Sequence, residues 1–271
     1  MKDKFLSSDV GLDMPLPLVS IVTVVKNHAE GLAKTVTSIQ EQSYSNYEVI
    51  IVGGKSENTK DTTEKIAKEF EHLNFRIKYV REIQSGIYPA MNQGLEMTKG
   101  EYVWFLNAGD EFSSGTSLES ALTEIMRTKA ALVIGGYGIL VGNKVREYSY
   151  SPRVISARKF AYNRRGGCHQ AMLFSRKMLI KAGGFETKFQ LASDFNVVLK
   201  LAASFKVVRF KNILARIEPG GVADLNLQIV FREKHEARLT QIPGYRTWFR
   251  SLMWTRLAQV NQYAKKCLRK V

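Results

Sequence analysis

Residues 18–25 read LVSIVTVV, an uninterrupted β-branched apolar run, and a helical pattern begins at Ala29 and continues to about residue 42. This spacing predicts a fully buried strand followed by an amphipathic helix, with Asn27 as a plausible helix cap. The pair then repeats. YEVIIV at 47–52 reads as a second strand and TKDTTEKIAKEFEHL at 59–73 as a second helix. FRIKYV at 75–80, YPAMNQGLEMTK at 88–99 and EYVWFL at 101–106 continue as strand, helix and strand. Strands that are apolar throughout and alternate with helices argue for a mostly parallel sheet covered on both faces. In such sheets ligands bind beyond the carboxyl ends of the strands.

After the turn-rich NAGDEFSSG the alternation is less regular. Helices are expected at 118–128, 175–182 and 194–204, and strands at 131–141, 144–150, 171–174 and 206–210. From Asn226 onward the pattern is helical, interrupted at Pro243 and Gly244. Residues 1–17, ending in Pro15 and Pro17, read as a loose lead-in, 18–225 as one α/β domain and 226–271 as amphipathic basic helices. PGGVADL at 219–225 reads as a loop that could close over a ligand.

The composition is that of an ordinary globular chain, with 45% hydrophobic and 24% charged residues among 271. A formal charge of +15 is outside the ordinary range and calls for an anionic partner. Two isolated thiols, Cys168 and Cys267, make neither a disulfide framework nor a zinc site and suggest a reducing compartment. The basic N-terminus lacks an apolar core of signal-peptide length, and no run reaches about 18 apolar residues, so neither secretion by that route nor a membrane span is expected.

Five stretches carry candidate chemistry. Gly53, Gly54, Lys55 and Ser56 spell the end of a phosphate-binding loop, but the glycine required five residues earlier is Val49, inside a strand. A tight glycine turn is the better reading. In WFLNAGDE, Asp110 stands just past a buried strand, where a hard carboxylate suits magnesium or manganese against a diphosphate. Capping of a turn is the alternative for Asp110. Ser193 and Asp194 open an amphipathic helix, as a cap or as a reactive carboxylate. His169 and Gln170 precede an apolar strand, with no second His or Cys at metal-ligand spacing.

The tail is the fifth. From 237 to 271 the chain has no acid, while Arg238, Arg246, Arg250, Arg256, Lys265, Lys266, Arg269 and Lys270 supply cations. Apolar residues at helical spacing, with Trp248 and Trp254, suggest a helix lying in an anionic membrane interface. A helix docked on the protein's own core would explain the apolar face but not the one-signed charge. No nucleic-acid motif accompanies the charge, so no nucleic-acid partner is expected.

Taken together, VSIVTVVKN, SIQEQSYSNYEVIIV, SGIYPAMNQGLEMTKGEYVWFLNAGD, CHQAMLF, GGF and ASDFNVVLKL resemble, in order and spacing, the family 2 glycosyltransferases of the GT-A fold. The resemblance runs from about 18 to 245 and is similar to the bacterial subgroup that builds capsular, exopolysaccharide or envelope glycolipid sugars. It implies a Rossmann-like nucleotide half at about 18–112 and an acceptor half at about 113–225. It also implies inverting transfer from a nucleotide-diphosphate donor, a UDP-sugar, to a glycan or lipid-linked acceptor, with Mn2+ or Mg2+ on Asp110 and Asp194 as general base. By the same resemblance Val25, Asn27, Gly53, Lys55, Ser85, Gly86, Asn92, Asn107 and Ala108 face the nucleotide, and His169, Gln170 and Ser193 line the pocket. The protein would then work at the cytoplasmic face of a bacterial plasma membrane, attached through residues 246–271. The sequence departs from the family at four positions. Gly53 stands where an Asp usually grips the nucleoside, Lys55 replaces a glycine, and Gln84 and Pro89 stand where relatives commonly carry Asp. These departures leave a second reading open, a non-catalytic relative that binds a sugar, a glycolipid or a partner transferase.

Overall fold

The computed structural model describes residues 16–58, 60–141, 144–163, 167–244 and 251–253. The chain opens with β1 (Val19–Val25), α1 (Ala29–Gln40), β2 (Tyr47–Gly53), α2 (Thr63–Leu73), β3 (Ile77–Arg81), α3 (Ile87–Met97) and β4 (Tyr102–Phe105). The four strands pair in parallel in the order β3-β2-β1-β4. Parallel neighbours need a long crossover, and each helix supplies one. Successive strand residues enter opposite apolar layers: Ile21, Val49, Ile51 and Trp104 pack with α1 residues Leu32, Val36 and Ile39. Val22, Ile50, Val52, Val103 and Phe105 pack with Tyr88, Met91 and Leu95 of α3. That two-sided burial is why β1, β2 and β4 are almost wholly apolar, whereas the edge strand β3 exposes Lys78 and Arg81.

The second half contains β5 (Glu111–Phe112), α4 (Ser117–Thr128), β6 (Leu132–Val141), β7 (Lys144–Tyr148), β8 (Arg153–Val154) and α5 (Ala157–Ala161). A 3-10 turn (His169–Ala171) leads into β9 (Met172–Ser175), α6 (Arg176–Lys181), α7 (Ser193–Ser204), β10 (Val207–Ile217), α8 (Val222–Leu225) and α9 (Leu227–Gln241). Strand β9 inserts antiparallel between β4 and β6, and β6 lies parallel to β10. The sheet is therefore parallel in its first half and mixed beyond β4, where the sequence alternation loosens. The expected elements at 118–128, 131–141, 144–150, 171–174, 175–182 and 194–204 all form, with ends shifted by a few residues. Strand β10 runs on to Ile217 across register shifts between Arg209 and Ala215, which break the alternation that marks its first residues.

Three local expectations are corrected. Asn27 adopts a left-handed backbone, φ 52, and the cap of α1 is His28. The backbone N–H of His28 donates to Thr63 Oγ1 at 3.0 Å, so the turn is tied to α2. The 219–225 stretch contains the short helix α8 rather than loop alone. Helix α9 does not stand apart: its Ala237, with Ile242 just beyond, joins the apolar layer of α7. The remaining basic tail, 245–250 and 254–271, lies outside the described residues; the fully buried Ser251 bonds through Oγ to His235 Nδ1 of α9 at 2.7 Å.

Helix α3 approaches β1 so closely that a Cβ at Gly94 would sit 2.4 Å from Val22 Cγ1. Gly94→Ala is expected to overpack this contact and lower the unfolding free energy by about 1–3 kcal/mol, measured by urea denaturation. An unchanged midpoint would show that the layer has room to give.

Candidate active site

All four parallel strands end at one edge, which brings four separate loops together. Gly54 N–H donates to Val25 O at 2.7 Å, Glu82 N–H to Gly53 O at 2.9 Å and Ala108 N–H to Val24 O at 3.1 Å. Val25 itself is buried, so only its backbone reaches this edge. Lys55 is exposed and its N–H donates to Glu82 Oε1 at 2.8 Å. A side chain at Gly53 would lie 2.6 Å from the Tyr79 ring and 2.7 Å from its hydroxyl. The Tyr79 phenol occupies the space that a carboxylate at 53 would need, which is the physical reason for glycine there. Ser85 and Gly86 are exposed at the start of α3, where Gly86 takes φ 129.

Loop 107–110 is held from below by α1. Thr35 Oγ1 donates to Asp110 O at 2.7 Å and accepts from Gly109 N–H at 3.0 Å. Gly109 has φ 96, and a Cβ there would meet Glu218 Oε2 at 2.2 Å. With the loop fixed, two hydrogen-bonded chains run from it to the 168–170 turn. In the first, Cys168 Sγ–H donates to Gln170 Oε1 at 2.7 Å and Gln170 Nε2–H to Asp110 Oδ2 at 2.8 Å. In the second, Asn107 Nδ2 lies 3.1 Å from His169 Nε2, and His169 Nδ1 lies 3.3 Å from Asp194 Oδ2. Asn107 as donor assigns the proton to Nδ1, facing the Asp194 carboxylate. Tyr88 O–H and Phe195 N–H donate to Asp194 Oδ1 at 3.0 and 2.8 Å. Trp104 Nε1–H fixes the turn from the core by donating to Gln170 O at 2.8 Å.

The two carboxylates are tuned in opposite directions. Burial pushes the Asp110 carboxyl up to about 6, against the hydrogen bonds from Glu218 N–H (3.0 Å) and Gln170; the Glu218 carboxylate pushes the same way as burial. Burial acts upward on Asp194 too, but the His169 hydrogen bond and charge, with the Lys234 charge, hold it below the usual range. Asp194 is therefore an anion across the neutral range. The Cys168 thiol is pushed well above its ordinary value by burial, so it serves as a hydrogen-bond donor and not as a thiolate nucleophile.

Among the described residues no group of three or more His, Cys, Asp or Glu side chains is set to hold a metal ion. Asp110 with the adjacent Glu218 is instead the donor set that a small divalent cation takes when phosphate oxygens and water complete its shell. These are hard oxygen donors of the class that Mn2+ and Mg2+ take, and Glu218 Oε2 lies 3.4 Å from His28 Nε2. Two sequence expectations are placed elsewhere. Asn92 spends its amide on the Phe185 backbone, donating to O at 2.7 Å and accepting from N–H at 3.0 Å, and so clamps α3 to the 185 loop. Ser193 is fully buried, with its hydroxyl unpartnered among the described residues, so it lies beneath the pocket and not in its wall. Tyr88, Thr35, Glu218 and Glu233 were not legible as site residues, because each acts through a partner 40 to 110 positions away, about the separations of 43, 75, 106 and 108 in their bonds.

The sequence model described as Glycosyl transferase family 2 matches residues 20–183, more than half of the chain. The chain belongs to this family. Glycosyltransferase Rv1514c of Mycobacterium tuberculosis is 28% identical over 211 residues, 76% of this chain and 77% of its own. TuaG of Bacillus subtilis, named for teichuronic acid biosynthesis, is 31% identical over 160 residues, 58% and 62% of the two chains. Among solved structures, Staphylococcus aureus TarS 1-349 in complex with UDP-GlcNAc superposes with TM-score 0.66 at 14% identity, covering 88% of this chain and 70% of that one. The mannosyltransferase PcManGT of Pyrobaculum calidifontis, in complex with GDP-Man and Mn2+, gives 0.67 at 16% identity, covering 89% and 70%. The GT-A fold expected from the sequence is thus shared with both, and this family 2 enzyme is a glycosyltransferase whose relatives include proteins named for bacterial envelope polysaccharide and glycolipid synthesis.

Because burial raises the folded pKa of Asp110 above that of a free aspartate, about 3.8, the protonated form favours folding. The contribution is complete below about pH 4 and is lost as the pH rises through about 6. Relative to its value at pH 4, the unfolding free energy of Asp110→Asn is expected to gain up to about 3 kcal/mol on the parent by pH 7.5. Denaturant titrations at both pH values check this; a pH-independent difference would mean that Asp110 ionises normally.

Proposed function

We propose that this transferase moves a sugar from a UDP-sugar to a hydroxyl of a glycan or lipid-linked acceptor in bacterial envelope synthesis, with inversion at the anomeric carbon. The observation that carries the reading is the hydrogen-bonded run Asn107–His169–Asp194–Tyr88 beside the buried carboxylate of Asp110. It sets an ionised base and an anion-handling site at the two ends of one short turn.

Asp194 acts as general base. Its Oδ2 keeps a lone pair beyond the His169 contact and takes the acceptor hydroxyl proton as that oxygen attacks the anomeric carbon. The bond from that carbon to the diphosphate breaks in the same displacement, and the electron pair leaves with the diphosphate. His169 and Tyr88 fix the carboxylate so that the proton has one destination. Asp110, with Glu218 next to it, would hold Mn2+ or Mg2+, which when bound neutralises the charge developing on the leaving diphosphate. The nucleoside would lie across the edge formed by Asn27, the 53–55 turn and 85–86, with Tyr79 filling the place of a carboxylate at 53.

A UDP donor agrees with the complex of TarS, and the GDP-Man complex of PcManGT is the competing choice. Calorimetric titration with UDP, GDP and dTDP, with and without Mn2+, is expected to show metal-dependent binding of UDP that Asp110→Ala loses. Asp194→Asn is expected to keep that binding and to lose turnover by about a thousandfold or more. Full turnover in Asp194→Asn would refute the assigned base, and binding of none of the three nucleotides would favour the non-catalytic reading.

The enzyme would reach its acceptor at the inner face of the plasma membrane through the acid-free tail, the sequence feature that supports this placement. Among the described residues no helix is long and apolar enough to cross a membrane. Removal of 254–271, which leaves the Ser251 contact in place, is expected to abolish co-sedimentation with anionic vesicles. Unchanged sedimentation would refute the attachment.

A further inference from the structure

We infer that Glu233 of α9 is the positioning residue for Asp194, gripping the three consecutive backbone amides that deliver that carboxylate into the site. This deepens the reading of Asp194 as base and rests on it. Glu233 Oε1 accepts from Gln190 N–H at 2.8 Å, and Oε2 accepts from Leu191 N–H at 2.8 Å and Ala192 N–H at 2.9 Å. Its side chain is only 5% exposed. Ala192 is the cap residue of α7 and Asp194 the second residue of that helix. The carboxylate therefore sits on the approach to a helix N-terminus, where unpaired N–H groups and the helix dipole both favour an anion.

The three amides precede the helix, beyond the reach of an ordinary helix cap. A capping side chain at position 192 would reach the amides of 194 or 195 and not those of 190–192; that position is Ala, and the acceptor for 190–192 comes from another helix 41 to 43 residues away. Burying an ionised carboxylate is expensive unless its lone pairs are filled, and three charge-assisted bonds fill them. What this arrangement provides beyond a cap is a fixed distance between α9 and the peptide preceding Asp194.

Helix α9 is in turn anchored to the body. Arg238 Nε–H donates to Ala161 O at 2.9 Å, and its guanidinium lies 5.1 Å from the Phe195 ring centroid. Lys234, next to Glu233, places Nζ 5.4 Å from the same ring. The charged or titratable groups facing Asp194 are then Tyr88 from α3, Cys168 and His169 from the turn before β9 and Lys234 from α9. A small shift of residues 190–192 would move the Asp194 carboxylate away from all of them together.

The test is Glu233→Gln, which keeps the volume but sets an amide N–H against a backbone N–H. Three quantities are read: UDP affinity with Mn2+ by calorimetry, release of UDP from the donor sugar with water as acceptor, and titration of the Asp194 carboxyl by 13C NMR. The expected result is UDP affinity within about twofold of the parent, kcat lower by about a hundredfold, and an Asp194 carboxyl that titrates at higher pH because His169 no longer faces it squarely. An unchanged Asp194 titration overturns the inference whatever happens to kcat. A shifted titration with kcat intact supports the grip and refutes Asp194 as the base, a distinction that Asp194→Asn measures independently. Should Glu233→Gln fail to fold by circular dichroism, Glu233→Asp, which keeps the charge and withdraws it by one methylene, carries the same three readings.

Discussion

The burial of Asp110 is the constraint around which the site is arranged. A carboxylate pushed up to about 6 by desolvation costs the folded state about 3 kcal/mol when ionised at neutral pH. That cost remains after each oxygen has a donor, Gln170 on one side and the Glu218 backbone on the other, and would be larger without them. The two donors come from the turn before β9 and the end of β10, so satisfying one side chain pulls three distant segments together. His169, adjacent to Gln170, is thereby brought to Asn107 and Asp194. The base end and the leaving-group end of the pocket are consequences of one buried charge and its partners.

Much of the frame was legible because it is local. Uninterrupted apolar strands from 18 to 106 gave the parallel half directly, since burial on both faces requires that pattern. Asp110, His169, Gln170 and Asp194 stood out by their place beside strands and at a helix start, with capping or structural readings left open and their roles implied only by the family resemblance; the structure joins them by hydrogen bonds around the 168–170 turn. The short elements β5, β8, α5 and α8, of two to five residues, escaped notice because they are too brief to show a period. The antiparallel insertion of β9 is set by tertiary pairing, which no local pattern encodes.

The misplacements have equally definite causes. Asn27 looked like a helix cap, and its residue type instead suits the left-handed turn it adopts at φ 52. Asn92 looked like a nucleotide contact, but both ends of its amide are used on the Phe185 backbone across 93 residues. Helix α9 was assigned to a basic appendage on its charge; its inward face carries Ala237 into the core and Glu233 onto the segment before Asp194. The altered turn at Gly53 is the instructive case. The resemblance implies an Asp at this position, and the structure has a tyrosine ring within 2.6 Å of where its Cβ would stand.

The most direct test of the account is a crystal structure with UDP and Mn2+ bound. The account predicts the uracil at the 53–55 turn, the diphosphate beside Asp110, and Mn2+ held by the Asp110 carboxylate, with Asp194 facing the open side of the leaving group. A nucleotide bound elsewhere, or an Asp110 that keeps its present partners with no cation beside it, would contradict the claim that this buried carboxylate organises the active site.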